Sequence, residues 1–108
     1  MDHQELSREV TQLHADLCSA LADPHRILLL YAIDERPRNV SELAEEVGIS
    51  QPGASRHLKI LRERGLVRSV RQGASIEYFL TDPRLIDALD LLRSVLRDRL
   101  TYRASLME

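Results

Sequence analysis

The sequence is poor in several things. It has one cysteine (Cys18), one phenylalanine, no tryptophan and only 4% aromatic residues. A lone cysteine excludes an internal disulfide and fits a reducing compartment, so a cytoplasmic protein is expected. Scarce aromatics leave the core to aliphatic side chains. No apolar run approaches the roughly 20 residues needed to span a bilayer, so no membrane association is expected. The N-terminal MDHQELSREV lacks the basic-then-apolar pattern of a signal peptide. There is no Gly-rich phosphate loop, nucleophile elbow or HExxH motif, so enzymatic chemistry is not expected.

Charge is present, and unevenly spread. Residues 50–72 carry Arg56, Lys59, Arg62, Arg64, Arg68 and Arg71 against Glu63 alone. That stretch is +5, leaving the rest of the chain at −7 against a whole-chain net of −2. A basic island on an acidic body is the footprint of an anion-binding face. With 108 residues and 44% hydrophobic content, one domain spanning 1–108 is expected.

Periodicity orders the elements. Leu6, Val10, Leu13, Leu17 and Leu21 recur at helical spacing, predicting a helix over 6–21. Asp23-Pro24 is a cap followed by a proline suited to the first helical position. It opens a helix whose 27–33 stretch is apolar nearly all round, as a buried helix requires. Residues 35–38 read as a loop. Asn39 and Glu42 have capping-box spacing ahead of a short helix ending at Val47-Gly48. Ser50 caps a helix to about Arg64. Two short helices about a tight glycine turn are a helix-turn-helix signature. Alternation over 66–71 and 75–80, about Gln72-Gly73-Ala74, predicts a β-hairpin. Asp82-Pro83 opens a last helix with Leu85, Leu89, Leu92, Leu96 and Leu100 along one stripe. The expected class is mainly α with a small β-hairpin, in the order α1-α2-α3-α4-hairpin-α5: a winged helix-turn-helix.

The helix after Ser50 is the candidate nucleic-acid reader. At 100° per residue, Gln51, Ser55, Lys59 and Arg62 fall within about 80° of one another, with Arg56 beside them. Its front offers small hydrogen-bonding groups and its rear offers charge. Recognition helices use that order, with bases read near the N-terminus and phosphates met by longer cations. Ser50, Gln51, Gly53, Ser55, Arg56, His57, Lys59 and Arg62 are the helix candidates for binding double-stranded DNA. Gly53 either admits a DNA backbone or has no role, and His57 sits at the flank, where a packed ring is the usual outcome. Arg71, Gln72, Gly73 and Ser75 are the wing candidates, with Arg68 further back. A winged helix that binds protein instead of DNA is the alternative.

These residues carry a resemblance. LADPHR at 21–26, SELAEEVG at 41–48, SQPGASRHLKILRERGLV at 50–67 and the RQG hairpin are similar to the ArsR-type (ArsR/SmtB) family of bacterial repressors. The resemblance covers about residues 17–80. It implies a homodimer that binds an operator palindrome, dimerising through the first and last helices. The two stripes, Leu6, Val10, Leu13 and Leu17 with Leu85, Leu89, Leu92 and Leu96, agree with that. A metal, a small molecule or a partner protein acting as inducer is also implied.

The chain departs from the family's familiar sensor patterns. Asn39 and Ser41 stand where thiolate sensors carry cysteines. No His follows His57, so the zinc-type ligands on the last helix are absent. One cysteine cannot form the pair of a sulfide sensor. Three N-terminal residues remain as metal candidates. His14 and Cys18 are four apart on one helical face, and could supply two ligands per chain. His3, third from the amine, could complete a square-planar Cu(II) or Ni(II) site. The expected cations are therefore Ni(II), Cu or Zn(II) in this region, with Cys18 oxidation as a further route.

Overall fold

The computed structural model describes residues 1–107. Its elements are α1 (His3–Leu13), a π turn (His14–Cys18), a 3-10 turn (Ala20–Ala22), α2 (Pro24–Glu35), α3 (Val40–Val47), α4 (Gln51–Glu63), β1 (Val67–Gln72), β2 (Ser75–Leu80) and α5 (Arg84–Leu106). The expected order is present, and the architecture is a winged helix-turn-helix.

Local chemistry sets most boundaries. Asp23 caps α2 by accepting the His25 amide at 2.8 Å. Asn39 and Glu42 form the full capping box of α3. Gly48 ends α3 at φ 78°, the left-handed region that a residue with a Cβ enters only at a cost. Ser50 Oγ then accepts the Gly53 amide at 3.1 Å and starts α4.

The core lies where α2, α3 and α4 meet. Leu29 and Leu30 from α2, Leu43 from α3, and Leu58 and Leu61 from α4 are fully buried. Burying each contributes about 1.5–3 kcal/mol. Leu66 and Val67 from the hairpin's base, and Ile86 and Leu89 from α5, close the cluster. The hairpin is antiparallel, pairing Val67 with Leu80 through Gln72 with Ser75. Its two-residue loop, Gly73-Ala74, has positive φ at Gly73 alone. A type II′ turn places glycine at that first loop position.

The structure corrects the sequence reading in four places. The helix expected over 6–21 is present but irregular: at His14 α1 passes into the π turn, where the Ser19 amide reaches back five residues to the His14 carbonyl, and a 3-10 turn closes it at Ala22. Arg38, read as part of a loop, is 3% exposed, and its carbonyl accepts the Tyr78 amide at 2.9 Å. That bridge gives β2 a second neighbour. Leu89, read as a dimerisation residue, is buried in the chain's own core, and Leu17 and Leu85 pack against it. Finally, α5 begins at Arg84, with Asp82 accepting the Arg84 amide at 2.9 Å from one position earlier than expected.

The remaining apolar stripes face outward. No residue of α1 is buried, and Leu6, Val10 and Leu13 are each about half exposed. On α5, Leu91, Leu92, Val95, Leu96 and Leu100 are exposed. The radius of gyration is 16.6 Å, against about 13 Å for a compact chain of this length. The chain is drawn out to 53 × 44 × 21 Å because these two helices extend from the core.

Candidate nucleic-acid interface

Helix α4 turns Ala54, Leu58 and Leu61 into the core. Its outer side carries Gln51, Ser55, Arg56, Lys59 and Arg62, all exposed. Among the described residues, Arg56, Lys59, Arg62 and Arg71 enter no ion pair. Arg64 differs: it turns back to Asp16 of the π turn at 3.6 Å. So does Arg68, which stacks on Phe79 at 4.7 Å from the ring centre. The basic island therefore divides into cations spent on the fold and cations left to solvent.

Gly53 has a steric explanation. A Cβ built there would stand 2.9 Å from Ser50 Oγ, the oxygen that caps the helix. The glycine and the cap belong together. The hairpin tip, Arg71 to Ala74, is exposed, and Ser75 is half-buried.

His57 leaves the outer face. It is half-buried, and its Nδ1 lies 3.3 Å from Nη1 of Arg26. The His25 ring lies 5.8 Å away between centroids. Arg26 also donates through Nε to the Ala20 carbonyl at 2.6 Å and through Nη2 to Ser19 at 3.4 Å. Asp23 completes the group, 3.7 Å from His25 Nδ1 and 4.0 Å from Arg26 Nη1. Burial pushes the Asp23 carboxyl up. The His25 amide and the charges of His57 and Arg26 outweigh it and hold the carboxyl below its usual range.

The N-terminal metal candidates do not converge within one chain. His14 and Cys18 sit at the two ends of the π turn, both exposed. His3 lies eleven residues before His14 at the start of α1, about 16 Å away along a helix. Among the described residues, the group of three metal-ligating side chains within reach of one another is Asp23, His25 and His57. Sequence reading missed it because two of its members flank a helix cap and the third lies on another helix.

A winged helix-turn-helix whose second helix presents unpaired cations defines the class of DNA-binding transcription regulators. The comparisons make this specific. Residues 23–69 match the model of the bacterial regulatory protein, arsR family. A probable mercury resistance operon repressor from Streptomyces lividans is 39% identical over 94 residues, covering 83% of this chain and 75% of that protein. The crystal structure of Rv0081 from Mycobacterium tuberculosis superposes with a TM-score of 0.78 at 33% identity, covering 88% of this chain and 96% of that one. A cadmium metal-sensor from Mycobacterium tuberculosis gives a TM-score of 0.65 at 36% identity, covering 76% and 85%. The chain belongs to the arsR family. It is a DNA-binding transcriptional regulator and not an enzyme.

Proposed function

We propose that the chain acts in the cytoplasm as a dimeric repressor of an operator palindrome. The observation that carries this is the exposed row on α4, Gln51, Ser55, Lys59 and Arg62 with Arg56 beside it. Its cations enter no ion pair among the described residues. Cations held without a protein counter-charge are supplied with one by phosphate. In this reading Ser50, Gln51, Ser55 and Arg56 meet base edges from the N-terminal half of α4. Lys59 and Arg62 meet phosphates behind them. Arg71, Gln72, Gly73 and Ser75 lie along the adjacent groove as the wing. Gly53 serves the cap and His57 supports the helix from behind.

Dimerisation follows from the two outward stripes. Leu6, Val10 and Leu13 of α1 and Leu92 and Leu96 of α5 are rows of exposed large apolar side chains, the kind of surface that marks an interface. A two-fold pair sets two α4 helices on half-sites about one DNA turn apart. An operator occupied in this way is closed to polymerase. The signal that releases it is a metal, a small molecule or a partner protein. His14 and Cys18 would need the same pair from a second chain to complete a metal site, whereas His3 with the amine and two backbone amides is a separate position for Cu(II) or Ni(II).

The test is fluorescence anisotropy on the DNA upstream of the chain's own gene, against scrambled DNA, over a range of salt. Specific binding with a steep salt slope is expected. Arg56→Ala should narrow the gap between the two DNAs, and Arg62→Ala should weaken both and flatten the slope by about one. Binding that ignores salt, or operator affinity kept by both variants, would overturn the reading.

A further inference from the structure

We infer that Asp23, His25 and His57 form a binding site for a divalent cation of the Zn(II) class, bridging the start of α2 to the middle of α4. The three side chains come from two helices and offer two imidazole nitrogens and one carboxylate oxygen. Their ligand atoms all lie within 4.8 Å of one another. Two ligands of a tetrahedral zinc stand about 3.4 Å apart, given bonds of about 2.0–2.1 Å. Asp23 and His25 are already at 3.7 Å. His25 is exposed and Asp23 half-buried, so both side chains have room to rotate toward a shared ion. A His2Asp set with a fourth position left to water suits a borderline cation better than a soft one.

The Asp23 carboxylate favours a positive charge at this point, and in the chain by itself the Arg26 guanidinium supplies it. Arg26 Nη1 lies 3.3 Å from His57 Nδ1, and because a guanidinium only donates, this bond is made when Nδ1 carries no proton. Asp23 Oδ1 accepts the His25 amide and also lies 3.7 Å from His25 Nδ1, while Oδ2 lies 4.0 Å from Arg26 Nη1. The cation replaces Arg26 Nη1 as the partner of His57. Arg26 keeps its bonds to Ala20 and Ser19 through Nε and Nη2, so it has a place to remain. Ligation also tethers α4 to α2, whose Leu29 and Leu30 anchor the core. Any consequence of this tether for DNA binding rests on the reading of α4 given above; the metal titration below needs no DNA.

The site is separate from His3, His14 and Cys18, and the test keeps them apart. Co(II) is added to the full chain in its native oligomeric state, and its visible d–d absorption is followed, then displaced with Zn(II). One Co(II) per chain is expected, with tetrahedral-type bands and no thiolate-to-metal charge-transfer band. His25→Ala and Asp23→Asn should each weaken binding about tenfold or more. Asn keeps the helix cap, and His25 is exposed, so both variants should fold. His14→Ala and Cys18→Ser should bind as the parent does. Absence of bands at any excess of Co(II), unchanged affinity in both cluster variants, or loss of binding in His14→Ala or Cys18→Ser would overturn the inference.

Discussion

The Tyr31 hydroxyl donates to Asp90 Oδ1 at 2.6 Å and joins α2 to α5. Arg93 lies over the same ring, 5.3 Å from its centre, with Nη1 3.4 Å from the hydroxyl. Burial raises the Tyr31 pKa, and the bond to Asp90 raises it further by favouring the protonated phenol. Tyr31→Phe should cost about 0.5–1 kcal/mol, a modest figure because Asp90 is exposed. Denaturant unfolding gives the stability change. Hydrogen exchange should quicken selectively in the first half of α5. Exchange that rises equally throughout the chain would rule out a local tie.

The outward leucines make a second prediction. Leu92→Asp with Leu96→Asp should leave the core intact, since both side chains are exposed in the chain. Sedimentation equilibrium at micromolar concentration should give the parent a mass twice 12.4 kDa and the double variant 12.4 kDa. A monomeric parent would remove the basis for two half-sites.

Ser50 and Gly53 should behave as a unit. Ser50→Ala loses a cap worth about 0.5–2 kcal/mol. Gly53→Ala should gain little in the parent, because the new Cβ meets the cap oxygen at 2.9 Å. In the Ser50→Ala background it should stabilise by roughly 0.5–1 kcal/mol, the ordinary preference of a helix for alanine. A thermal double-mutant cycle measures the coupling, and simple additivity would contradict the steric account.

Acid stability should depend on Asp82. The Arg84 side chain, and then its amide, hold this carboxyl below its ordinary value of 3.8. The unfolded chain therefore takes up the proton first as pH falls. The contribution is fully present above that ordinary value and is lost as pH drops through the folded one. Thermal melts between about pH 5 and pH 2 should fall less steeply for Asp82→Asn than for the parent. Parallel curves would show that the pair adds nothing.

What was legible in the sequence was what is local. Asp23, Asn39 and Ser50 cap their helices through atoms two or three residues away, so their spacing announces them. Gly73 marks the hairpin for the same reason. The rest depended on distant partners. Leu13, Leu17 and Leu21 keep a four-residue interval through the π turn, so periodicity hides the irregularity. Arg38 reads as a solvated loop cation until β2 is placed beside it, when Glu35 and Glu46 reach it at 3.0 and 3.4 Å. Leu89 and Leu92 belong to one stripe on paper, yet the helix turns only the first into the core. The basic island was visible as composition. Which of its cations remain unpaired depended on where Asp16 and Phe79 come to lie.

Helix α1 carries one more consequence. Its eleven residues bury nothing, and the π turn merely continues it along the chain. Short helices with no buried face are marginal in water by themselves. A second copy laid against Leu6, Val10 and Leu13 would supply the missing contact, so assembly and ordering of this segment should be coupled. In that case the far-ultraviolet signal should fall together with the mass on dilution, and a scarce chain would be unpaired and incompletely formed at once.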